Sequence, residues 1–150
     1  MNTWQMFLII FTIFNLSLFR KSYFECKNTN AYGPTKYLYP LGMFVWGDVF
    51  VFSIFWAAIS TYCLFFSKFY LFFLTFSLFW VVRSLGETIY WFNQQFSNIK
   101  KEPPEKIIFY KFFKDDSVWF INQIAHQCIV IISIIISIYF AYLWINSGFN

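Results

Sequence analysis

Charge is scarce in this chain. Only 12% of its 150 residues are Asp, Glu, Lys or Arg, and there is a single histidine. Set against 59% hydrophobic residues, that scarcity excludes an ordinary soluble domain and points to an integral membrane protein. Cysteine is sparse as well: Cys26, Cys63 and Cys128 stand alone, with no Cys-x-x-Cys pair and no His/Cys cluster. Isolated thiols of odd number build no disulfide framework, and His126 alone cannot hold a metal ion. No metal and no other cofactor is expected. The five glycines form no phosphate-cradling loop, and neither HExxH nor GxSxG occurs. No two carboxylates stand at a catalytic spacing either. No catalytic residue is assigned, and enzymatic activity is not expected.

What the chain has in abundance is aromatic surface, with 24 Phe, 10 Tyr and 7 Trp. A bilayer core takes roughly 20 apolar residues per helix. Four stretches qualify: about Thr3–Phe19, Met43–Phe66, Phe69–Phe92 and Val118–Ile145. The first has no Lys or Arg before it and is followed by Arg20-Lys21 instead of a cleavage site, so it reads as a retained span. Only Ser67-Lys68 separates the second and third spans, which implies a tight antiparallel hairpin. The expected fold is an all-α membrane domain of four transmembrane helices covering residues 1–150, without internal repeats or heptads.

The net charge of +4 fits basic residues held on one membrane face, with no nucleic-acid partner implied. The loop at about 20–42 carries Arg20, Lys21, Lys27 and Lys36; the loop at about 93–117 carries Lys100, Lys101, Lys106, Lys111 and Lys114. The hairpin turn has only Lys68. The positive-inside rule then places both loops in the cytoplasm or matrix and both termini outside. The host would be a bacterial cytoplasmic or an organellar inner membrane. Within the later loop, Ile108, Phe109, Phe112 and Phe113 fall on one helical face of Lys106–Asp115. That pattern predicts a short amphipathic helix in the headgroup layer, after the stiff break at Pro103-Pro104.

Polar residues gather in the half of each span nearest these loops. Counting at 1.5 Å per residue puts Arg83 roughly 9 Å from the inner edge and Glu87 one turn closer to it. Asp48 falls at a similar depth and within reach of Arg83. Asn122, Gln123, His126 and Gln127 enter the same layer, and Asn15 is a further candidate. Arg83, Glu87, Tyr90 and Gln94 recur at helical spacing, giving the third span one polar face. A polar arc on the fourth span is unfavourable against lipid, so burial against the third span or a partner is expected.

Bland readings compete with functional ones. Arg83 could snorkel to the headgroups, or pair with Asp48 purely to fix register. His126 has a proton carrier's chemistry, yet a lone membrane histidine more often packs through hydrogen bonds. The expected function is a non-catalytic subunit of a larger membrane complex, docking through aromatic faces and basic loops onto other membrane proteins or onto itself. The alternative is a small oligomeric transporter or channel whose cavity is lined by Asp48, Arg83, Glu87 and His126. Against it, the outer half offers no continuous polar route.

Overall fold

A computed structural model of the chain describes residues 2–97, 103–113, 115 and 117–147. It contains four long helices: α1 (Thr3–Lys27), α2 (Trp46–Phe65), α3 (Phe69–Phe96) and α4 (Ser117–Asn146). All four are long and apolar enough to cross a membrane. No strand occurs among the described residues beyond one isolated bridge between Pro34 and Val45. The 30 residues of α4 would stretch roughly 45 Å, well beyond a bilayer core of about 30 Å.

Helix α1 does not stop at Phe19, where the apolar run ends. It continues through Arg20 and Lys21 to Lys27, because backbone bonding needs no apolar side chains and no breaker intervenes. The stop comes at Asn28, where Thr29 adopts a left-handed φ of 63°. The Asn30 N–H then reaches back to the Glu25 carbonyl at 3.0 Å, satisfying an orphan acceptor of the last turn. Lys21 places its ammonium 5.0 Å from the centre of the Trp46 ring, a cation–π contact that ties the end of α1 to the start of α2.

The chain divides into two compact units, Met1–Phe73 with Tyr142–Asn150, and Leu74–Ala141. In the first, α1 and α2 run antiparallel along a seam the sequence conceals. Leu8, Asn15 and Ser22 of α1 are buried. Between them Thr12 bonds Ser60 of α2 at 2.7 Å, and Phe19 meets Phe50. The facing positions of α2 are Val49, Ser53, Trp56, Ser60 and Cys63, all buried. Both sets advance in alternating steps of four and three residues, the repeat that lets two helices wrap with a left-handed twist. Small serines at the seam let backbones approach closely, as membrane helices require when lipid supplies no hydrophobic drive. The fully buried Asn15 gives its amide N–H to the Phe11 carbonyl at 2.8 Å. Its Oδ1 has no hydrogen-bond partner among the described residues.

The connection between α1 and α2 is itself folded. Thr35 bonds across to Phe44 through its backbone N–H (2.9 Å) and to the Met43 carbonyl through its hydroxyl (2.8 Å). A 3-10 helix, Lys36–Leu41, ends at Gly42 with φ 69°, a left-handed conformation that glycine adopts without a Cβ clash. At Gly33 a Cβ would meet the side chain of Asn30, which would have to move aside.

In the second unit, the Ser77 and Ser137 hydroxyls lie 2.9 Å apart and link α3 to α4. Before α4 the backbone forms two separate 3-10 turns, Pro104–Lys106 and Ile108–Lys111, where the sequence suggests one amphipathic helix. Ile107 sits between them at ψ 141°, so the helical ladder never starts.

Candidate functional site

The polar residues singled out from the sequence fall in both units. Asp48 belongs to the first. It occupies the first turn of α2, and its Oδ2 accepts the Phe44 N–H at 2.9 Å and the Val45 N–H at 3.4 Å. The carboxylate thus satisfies amides at the positive end of the helix dipole. Asp48→Ala is expected to cost about 1 kcal/mol of stability, the usual loss for a helix cap. Unfolding in mixed micelles would measure it, and Asp48→Asn should recover part of the loss.

The others lie on α3 and α4. Arg83 and Glu87 form an ion pair at 3.1 Å one turn apart, with side chains 19% and 15% exposed. Tyr90 stands edge-on to Trp91 with ring centres 5.1 Å apart, and Gln94 is buried. Asn122 turns back on its own helix, giving its amide to the Val118 carbonyl at 2.8 Å. Gln123 is met across the helix pair by Gln95, whose Nε2 donates to its Oε1 at 2.7 Å. Nothing in the sequence marks Gln95 for this role: it stands beside Gln94, one turn beyond Trp91, with no signal of a partner. His126 is half-buried on the same helix.

Gln127 differs from all of these. Its side chain is exposed, and it makes no hydrogen bond among the described residues. It lies ten residues into α4, which at 1.5 Å per residue is about 15 Å from the start of that helix. Phe120, Ile124, Ile131 and Ile135 surround it on the exposed side of α4.

Among the proposed interfacial basic residues, Arg20, Lys21 and Lys111 are exposed. Arg20 and Lys21 stand on α1 itself and not in a loop. Lys100, Lys101 and Lys114 lie outside the described residues, as does the side chain of Lys106. No group of three or more potential metal ligands occurs among the described residues.

Between α3 and α4, Gln95 bonds Gln123 and Ser77 bonds Ser137, whereas the Arg83–Glu87 pair and the Asn122 bond stay within one helix. Neither a family model, nor a curated protein, nor a solved structure matches this chain.

Proposed function

We propose that the protein is a non-catalytic membrane subunit that assembles with another membrane protein, its basic segments on the cytoplasmic or matrix side and both termini opposite. The observation that carries this reading is Gln127, an exposed amide about a third of the way along α4 with no hydrogen-bond partner among the described residues. An amide left unbonded in hydrocarbon costs several kcal/mol, whereas an amide from a neighbouring chain's helix would satisfy it.

The surrounding surface supports the same reading. Gly86 is exposed on α3 with nothing within 4 Å of where a Cβ would stand. Glycine inside a helix costs roughly 1 kcal/mol relative to alanine, and no close approach among the described residues requires it there. A partner helix lying against Val82, Gly86 and Ile89 would supply the reason.

The test is Gln127→Leu. The variant chain should accumulate in membranes as well as wild type, while its partner co-purifying in mild detergent falls at least tenfold. If Gln127→Leu leaves co-purification untouched, the reading fails. Purification as a pure homo-oligomer, with ion flux abolished by Arg83→Gln, would instead establish the transporter reading.

A further inference from the structure

A cavity of about 840 Å³ opens where α1 begins and α2 passes into α3. Its size falls within the range of cavities that hold small ligands. Its lining is graded along the helix axes. Asn2, Thr3, Gln5 and Ser67 stand at or within two residues of the helix ends, beside Trp4 and Leu64, whereas Phe7, Leu8 and Phe73 form an apolar wall about one turn deeper. Because these helices are membrane-crossing in length and composition, their ends lie at the headgroup layer and the wall lies at acyl-chain level. The grading therefore matches an amphiphile entering from the leaflet, polar end outward.

Charge narrows the choice. Lys68 sits between Ser67 and Phe69, both of which line the cavity, and it has no ion-pair partner among the described residues. The acidic residues of this unit's first 73 positions are Glu25 and Asp48, at the opposite ends of α1 and α2. The first turns of α1 and α3, which both start here, contain no acid. No carboxylate lines the cavity and Lys68 is the one charged residue next to the lining in sequence, so a negatively charged head is favoured over a zwitterionic one.

We propose that this cavity is a specific site for one anionic glycerophospholipid, an acyl chain lying in the aromatic wall and the phosphate beside Lys68. The site is independent of the protein–protein contact at Gln127.

The test uses the full chain in mild detergent, titrated with phosphatidylglycerol or phosphatidylcholine and read by native mass spectrometry. Wild type should retain one phosphatidylglycerol, bound at least tenfold more tightly than phosphatidylcholine. Leu64→Trp, which fills the cavity, should weaken retention at least tenfold. Thr3→Trp at the rim does the same should the first variant not fold. Lys68→Gln should keep a lipid bound but lose the preference between headgroups. Val51→Trp, on an exposed position of α2, should change nothing. Retention unaltered by either filling variant overturns the site, as does an equal loss in Val51→Trp, which would mark annular lipid. Equal binding of the two lipids by wild type overturns the anionic assignment.

Discussion

Trp56→Ala is expected to lower the unfolding free energy by about 3 kcal/mol, the low end of the range for deleting a buried Trp. Trp56 is 0% exposed at the centre of the α1–α2 seam. Its ring meets Phe11 at 6.2 Å, Phe55 at 5.0 Å and Phe72 at 6.1 Å between centres. In lipid the transfer term is small, because acyl chains are as apolar as the protein interior. What remains is dispersion: the cavity lining loses its contacts outright. Ile135→Ala on the exposed face of α4 provides the control and should change stability by less than about 0.5 kcal/mol. Unfolding by sodium dodecyl sulfate in mixed micelles measures both. A Trp56→Ala loss below about 1 kcal/mol would show that the seam does not hold the first unit together.

The second large effect concerns the Arg83–Glu87 pair. Glu87→Leu is expected to cost about 3 kcal/mol, since it removes the carboxylate 3.1 Å from a guanidinium that is largely out of water. The pair's role is neutralisation more than helix support, because arginine one turn before glutamate is the weaker order against the helix dipole. Arg83→Leu combined with Glu87→Leu should recover most of the loss, since neither charge then lies at membrane depth. If the double variant is as impaired as the sum of the single ones, the two charges do not act on each other. Their value would then lie in contacts with other groups.

The four helices were legible because long uncharged runs report directly on membrane-crossing segments. Helix ends were less so. Hydropathy marks where lipid stops and not where backbone bonding stops, so the extension of α1 from Arg20 to Lys27 was invisible to it. The α1–α2 seam escaped because Thr12, Asn15, Ser22, Ser53 and Ser60 read as scattered polar interruptions. A search for apolar heptads cannot find a repeat written in hydroxyls. Gln95–Gln123 and Ser77–Ser137 join α3 to α4, whereas Asn122 turns back on its own helix. The Ser77–Ser137 pair lies in the half expected to be almost wholly apolar. The amphipathic helix before α4 was inferred from the spacing of Ile108, Phe109, Phe112 and Phe113. Spacing alone was insufficient there, because the Pro103-Pro104 break and the extended backbone at Ile107 keep the turns short.

The three-residue link Phe66-Ser67-Lys68 between α2 and α3 constrains how the molecule is made. Three residues reach at most about 10 Å, a third of the hydrocarbon thickness. During synthesis α2 therefore cannot settle across the bilayer while α3 waits on the far side. The two segments must leave the insertion machinery as a single package, so a change that keeps one from inserting keeps the other out as well.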